Sequence, residues 1–171
     1  GDGIPEHRPE YGYRGLGGYD EGPYSDKGLY ASDLIAAMAR AFESYADLLA
    51  VRAETGAGGD LREKAAGLRR MYEADWWSEE RGKYADGRTA GGGLVYQDLI
   101  WNGVFPLYFG FIGPGPRRDT TIRRIRDAKA EGIEIESYLP EIFYRYGENA
   151  AAYREILALS DPAKKRREYP E

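Results

Sequence analysis

Carboxylates crowd into one short segment of the sequence. Tyr19-Asp20-Glu21-Gly22-Pro23-Tyr24-Ser25-Asp26-Lys27 places Asp20, Glu21 and Asp26 close together, in the densest acidic stretch that reads as a loop. Two carboxyl groups facing one bond can divide the work. One stays protonated and gives its proton to a leaving oxygen, while the other is ionised and acts as base or nucleophile. When a water must fit between them they stand roughly 6.5 to 9.5 Å apart, so they come from different loops. Asp98, Glu136 and Glu141 are candidates for the second group, as is a residue outside this chain.

Aromatic residues are the second feature. The chain has 15 Tyr and 3 Trp against 2 Met and no Cys. Tyr and Trp combine an apolar body with a polar tip, which suits half-wet clefts as well as cores. Tyr24, Trp76, Trp77, Tyr96 and Trp101 are the candidate substrate platforms. Trp76 and Trp77 are adjacent and cannot easily share one environment, so one of them is expected to pack inside. Arg117 and Arg118 could hold a substrate carboxylate through paired N–H donors, or simply open an exposed helix.

Other chemistries find little support. His7 is the only histidine, which disfavours a histidine-rich metal site and leaves a Ser triad only through His7 itself. The absence of Cys removes thiolate nucleophiles, zinc-thiolate sites and disulfides. Gly15-Leu16-Gly17-Gly18 follows no strand pattern and Gly91-Gly92-Gly93 lacks a following Walker lysine, so no phosphate cradle is expected. Asp2 and Glu6 are too few oxygens for calcium and read as a turn. No metal and no cofactor is expected. A formal net charge of −5 argues against a nucleic-acid partner. Local basic runs such as Arg123-Arg124 and Lys164 to Arg167 read as solvated helix faces. The most apolar stretch, Leu94 to Ile112, is broken by Asp98, Asn102, Gly103 and Pro106, so no membrane span is expected.

Helices must position these residues. Residues 1–31 are expected to be an irregular Gly-, Pro- and Tyr-rich loop region, since no helical or strand period runs from Gly1 to Gly28. A helix starts near Ser32 or Asp33, either of which could cap it. Its apolar positions Leu34, Met38, Ala41, Tyr45 and Leu48, beside the row Ile35, Phe42 and Leu49, predict an inner, well-covered helix. Gly56-Ala57-Gly58-Gly59 is expected to end it. Asp60 and Glu63 then have capping-box spacing for a second helix with the stripe Leu61, Ala65, Leu68 and Tyr72. The two form an antiparallel hairpin, with Arg62, Glu63, Arg69, Arg70 and Glu73 outside.

A small β-hairpin is expected near 76–86, about a Gly82 turn, with Asp86-Gly87 and Gly91-Gly92-Gly93 in loops. A second helical hairpin opens near Gln97 and runs through Trp101 and Phe105 to Gly113-Pro114-Gly115-Pro116. An exposed helix from Thr120 to Ala130 follows, apolar only at Ile122 and Ile125. Two more helices, Tyr138 to Tyr146 and Asn149 to Leu159, point Leu139, Phe143 and Tyr146, then Tyr153, Ile156 and Leu157, inward.

The run from Asp33 through Trp76-Trp77-Ser78-Glu79-Glu80-Arg81-Gly82-Lys83-Tyr84, then Trp101 to Gly110, resembles part of the six-hairpin glycosidases. The resemblance implies a mainly α fold, a partial (α/α)6 barrel or toroid, and glycoside hydrolysis of oligo- or polysaccharides by a carboxyl pair. It also implies that Asp20, Glu21 or Asp26 supplies an acid from the loop entering an inner helix. Relatives with a recognised acid there carry a Trp-Asp pair after a Glu, where this chain has Glu21-Gly22-Pro23-Tyr24-Ser25-Asp26. The alternatives are a polysaccharide-lyase-like toroid using Tyr24 or Tyr96 with an Arg, and a non-catalytic carbohydrate-binding or scaffold module. Residues 1–171 are expected to be a single domain or a fragment of a larger toroid domain, with carbohydrate and the remainder of its own polypeptide as partners.

Overall fold

The first inner helix is started by a strand, not by a side-chain cap. The computed structural model describes residues 30–52, 55–89, 91–96, 101–128 and 133–161. Within it β1 (Tyr30–Ala31) leads directly into α1 (Ser32–Val51), and the N-cap is Ala31 in extended conformation without a side-chain hydrogen bond. The expected Ser32 or Asp33 cap is thereby corrected: Ser32 is inside the helix and buried, and its N–H donates to the Asp86 carbonyl at 3.1 Å. Pairing of β1 with β4 (Gly87–Arg88) aligns Ala31 with Gly87, which fixes where α1 begins.

The glycine run does not end α1 either. α2 spans Thr55–Asp75 and takes Gly56, Gly58 and Gly59 into its first turns. Close packing explains this at Gly58, where a Cβ would lie 3.4 Å from the Ala46 carbonyl oxygen of α1. The helical stripe of α2 is as expected from Ala65 through Leu68 to Tyr72, all buried, and α1 and α2 form a hairpin. Across it Arg62 pairs with Asp47 at 2.7 Å and Arg69 with Glu43 at 2.6 Å.

Antiparallel β2 (Trp77–Ser78) and β3 (Lys83–Tyr84) form the small hairpin, with Trp77 opposite Tyr84 and Gly82 at φ +55° in the turn. The next residues are not plain loop: β4 and β5 (Leu94–Val95) join β1 in a three-stranded sheet of order β1-β4-β5. Four helices follow. α3 is Trp101–Tyr108, α4 Pro116–Asp127, α5 Ile133–Arg145 and α6 Asn149–Ser160. α4 begins ahead of the expected Thr120 because Pro116 is pre-set for the first helical turn. α5 likewise begins before Tyr138.

α3 packs on α1, on α5 and on α4, while α2 pairs with α1 and α6 with α5. Thus α1, α3 and α5 form an inner row, and α2, α4 and α6 lie outside it. Ile35, Tyr72, Trp76, Leu107, Phe111, Leu139, Ile142 and Phe143 are the large members of one continuous core. Ile122 and Ile125 point into it, as do Leu139 and Phe143. Two apolar rows do not. On α1 the buried positions are Ile35, Ala36, Ala39, Ala46 and Leu49, while Tyr45 and Leu48 are 56% and 62% exposed. On α6 the helix packs through Ala151 and Ala152, leaving Tyr153, Ile156 and Leu157 exposed. Small residues win these contacts because they let neighbouring helices approach closely.

Candidate functional site

The C-terminal end of α2, the β2–β3 hairpin and the loop into α4 enclose an open cleft of about 600 Å³. Its polar lining comes from Glu73, Glu79, Arg117 and Thr120, and its apolar lining from Trp77 and the Gly113–Pro116 turn. Each wall is held by a named contact. The Glu73 carboxylate accepts from the Tyr84 hydroxyl at 2.6 Å and from the Gly113 N–H at 3.1 Å, so it clasps the β-hairpin to the α3–α4 loop. Arg117, in the first turn of α4, donates to the Glu73 carbonyl at 2.7 Å and to Glu79 Oε1 at 3.0 Å. Its guanidinium also lies over the Trp77 ring, 5.3 Å from the centroid.

Electrostatics separate the two glutamates. Glu79 is held below the ordinary carboxylate range, first by the Trp77 indole N–H and then by Arg117. The indole nitrogen lies close enough to act on that charge but outside hydrogen-bond geometry. Glu79 is therefore an ionised, water-facing group, suited to accepting hydroxyl hydrogen bonds and unsuited to donating a proton. Burial, followed by the hydrogen bond to Glu73, pushes the Tyr84 phenol well above its usual value. Tyr72 stacks on Tyr84 at 4.6 Å and is raised likewise, by burial and then by the negative charges near it.

A second polar group gathers beside the start of α1. Asp86 is 2% exposed and its Oδ2 lies 3.4 Å from Lys83 Nζ. Arg81 and Lys83 approach the Tyr96 ring at 4.7 and 6.0 Å. Asp86 was not legible in the sequence, where Asp86-Gly87 reads as loop; its burial follows from the pairing of Gly87 with Ala31 and Val95. Glu73 and Glu79 were likewise missed as cleft residues, since both read as exposed helix or hairpin charges.

The candidate residues fare differently. Asp20, Glu21, Tyr24 and Asp26 lie outside the described residues, as do Asp2, Glu6, His7 and Asp98. Trp101 starts α3, and its side chain is also outside them. Trp77 lines the cleft. Trp76 is corrected: it is fully buried, with its indole N–H directed at the Met71 sulfur at 3.0 Å, and offers no face to a ligand. Tyr96 is half-buried against its two cations. Glu136 is buried on α5, and Glu141 is ion-paired to Arg145 on the same helix. Arg118 lies over Tyr146, 5.2 Å from the ring centre. Among the described residues no cluster of three His, Cys, Asp or Glu could hold a metal, and no helix is long and apolar enough to cross a membrane.

No protein-family model matches the chain, and no curated protein matches it in sequence. In fold the chain is similar to a solved structure: a GH78 family rhamnosidase of Bacillus sp. GL1 superposes with a TM-score of 0.67 at 16% identity, over 75% of this chain. The chain spans 14% of that protein's length. At this identity the likeness is one of fold, and the described elements are successive helical hairpins with small β additions, compatible with part of an α/α toroid.

Proposed function

We propose that this chain is part of a glycoside hydrolase, acting on oligo- or polysaccharide glycosidic bonds through a carboxylic acid and a carboxylate. The observation that carries the reading is the likeness of its hairpin row to a GH78 family rhamnosidase; function inferred from fold is analogy, so residue chemistry must support it. The support is an open cleft that sets an indole beside an ionised glutamate and an arginine, the mixture of apolar face and fixed polar groups that sugars require. Trp77, Glu79 and Arg117 bind hydroxyls and ring faces in this reading. Asp20, Glu21 or Asp26 provides the proton donor in this reading, from the segment of sequence that precedes β1. The polysaccharide-lyase alternative finds its cation and tyrosine in Arg81 and Tyr96, but Arg81 lies over the ring.

Release of reducing ends from a panel of oligosaccharides and aryl glycosides tests the proposal. The combined Asp20→Asn, Glu21→Gln and Asp26→Asn variant should lose about 10²-fold or more in rate, the usual contribution of a positioned acid or base. An unchanged rate would remove these three carboxylates from the mechanism. Sugar binding without hydrolysis in either protein would make the chain a binding module.

A further inference from the structure

We propose that Arg88, Arg81 and Lys83, gathered about Tyr96 beside the three-stranded sheet, form a binding site for the carboxylate of an acidic sugar. The sugar rests on the glycoside-hydrolase reading; the carboxylate site stands without it. Arg88 is half-buried on β4, and its Nε is shut away from water with no hydrogen-bond acceptor. Among the described residues neither Arg88 nor Arg81 makes a side-chain hydrogen bond or ion pair, whereas Arg62, Arg69, Arg70, Arg117, Arg126 and Arg145 each meet a carboxylate. At an open surface such a cation would be ordinary. A guanidinium that has lost water on one side and gained no acceptor carries a desolvation cost, which an anionic ligand would offset.

Strand register gathers the cations. Arg88 stands opposite Leu94 across the β4–β5 pair, and Tyr96 follows two residues beyond Leu94. Residues two apart in extended chain share a face, so Arg88 and Tyr96 are diagonal neighbours about 7 to 8 Å apart, within reach of long side chains. The β2–β3 hairpin brings the other two: Arg81 lies 4.7 Å and Lys83 6.0 Å from the centre of the Tyr96 ring. Lys83 is paired with the buried Asp86 at 3.4 Å, which leaves the two guanidiniums as the surplus charge. A guanidinium resting on a ring keeps its N–H donors in its own plane, and that fork of donors fits a carboxylate bidentately. Tyr30, opposite Arg88 on β1, and Tyr96 add half-buried aromatic surface of the kind that a sugar ring needs beside its charged group. In the Trp77 cleft, by contrast, the arginine already holds a glutamate.

Calorimetric titration of the full-length protein with trigalacturonate and with its methyl ester tests the assignment, since the ester keeps the sugar rings and removes the charge. The acidic trimer should bind about tenfold more tightly than the ester, the usual weight of a charge-assisted contact. Arg88→Gln should abolish most of that preference, and Arg88→Lys should keep part of it, because an ammonium retains the charge without the fork. Arg81→Gln should weaken the preference as well, whereas Arg154→Gln, which removes the same charge from the exposed side of α6, should leave it intact. Thermal melting separates a ligand-binding role from a structural one: without ligand Arg88→Gln should melt no lower than the parent, and the trimer should raise the Tm of the parent but not of the variant. Equal affinity for trimer and ester would overturn the proposal, as would a preference that survives Arg88→Gln or a loss of preference accompanied by a lowered Tm. Should Arg88→Gln not accumulate, Arg88→Lys and Arg81→Gln read the same loss. Inorganic phosphate binding as tightly as the trimer would overturn the assignment to a sugar. Release of reducing ends from neutral glycans with no preference for the acidic trimer would keep the hydrolase reading and overturn this one; acid-selective binding without release from any glycan would do the reverse.

Discussion

Arg69 ties three elements together, and its removal should be felt in all of them. Its Nε and Nη2 donate to Glu43 Oε1 on α1 at 3.2 and 2.6 Å, its Nη1 donates to the Gly110 carbonyl at 2.5 Å, and its guanidinium lies 5.4 Å from the Phe111 ring centre. Arg69 and Glu43 are each 27% exposed in their side chains, so the ion pair is screened but not fully wet. It contributes about 0.5 to 1 kcal/mol. The charged hydrogen bond to a carbonyl adds about 1.5 kcal/mol, and the ring contact about 0.5 kcal/mol. Arg69→Ala should therefore cost about 2.5 to 3 kcal/mol, which for a chain of this size lowers the Tm by about 5 to 12 °C.

Urea and thermal unfolding measure this loss, and a double-mutant cycle with Glu43→Ala isolates the pair, with an expected coupling of about 0.5 to 1 kcal/mol. Arg69→Lys should fall between the two, since an ammonium keeps the charge but loses the planar fork. Amide exchange over 110–116 should accelerate in Arg69→Ala, because Gly110 opens the turn that walls the cleft. A loss below about 0.5 kcal/mol, or zero coupling with Glu43, would refute the reasoning.

Three further outcomes are expected. Trp76→Ala should destabilise the fold by about 3 to 5 kcal/mol, as deletion of a fully buried indole does; Trp77→Ala should cost much less and instead abolish any sugar-dependent change in tryptophan fluorescence, and the opposite pattern would show that the two environments are misassigned. Tyr72 and Tyr84 have folded pKa values raised above their unfolded ones, so their stabilisation is present below the ordinary phenol value and is lost as pH rises past it. Phenolate absorbance at high pH should accordingly appear together with loss of circular dichroism; two phenols titrating freely in the folded protein would contradict this. Glu79 is shifted the other way, so its contribution is complete above the ordinary glutamate value and is lost as pH falls through its lowered folded value. Glu79→Gln should melt below the parent at neutral pH and match it under acid conditions, and a gap that persists in acid would exclude the ion pair as the cause.

Local signals were readable and assembly was not. The α2 stripe from Ala65 to Tyr72 and the Trp77–Tyr84 hairpin follow from period and turn residues within a few positions of one another. The three-stranded sheet was hidden because its strands have two residues each, and Tyr30 pairs with Arg88 across a long stretch of chain. Gly58 looked like a helix end and is a helix contact, a distinction set by Ala46 on another element. The rows through Tyr45 and Tyr153 were read as inward from the same periodicity that succeeded elsewhere. Period reports that a face is apolar, and only packing decides which apolar face this chain covers. As for the site, the sequence marked Trp77 as a platform, whereas the Glu73 clasp and the Glu79–Arg117 pair depend on bringing α2 to α4.

The row-like order of the hairpins has a consequence for how the protein comes apart. α3 packs against three other helices, α1, α4 and α5, while α2 and α6 each rely chiefly on one partner helix. Structures whose units touch mainly their neighbours tend to open from the ends, in steps, with protection graded along the chain. Backbone amides of α3 should then be the last to exchange with solvent, and those of α6 should exchange through partial openings that leave the clasp of Tyr84, Glu73 and Gly113 closed. The Gly113 side of that clasp directly follows α3, and no residue of the clasp lies on α6, so the cleft's geometry can outlast the loosening of α6.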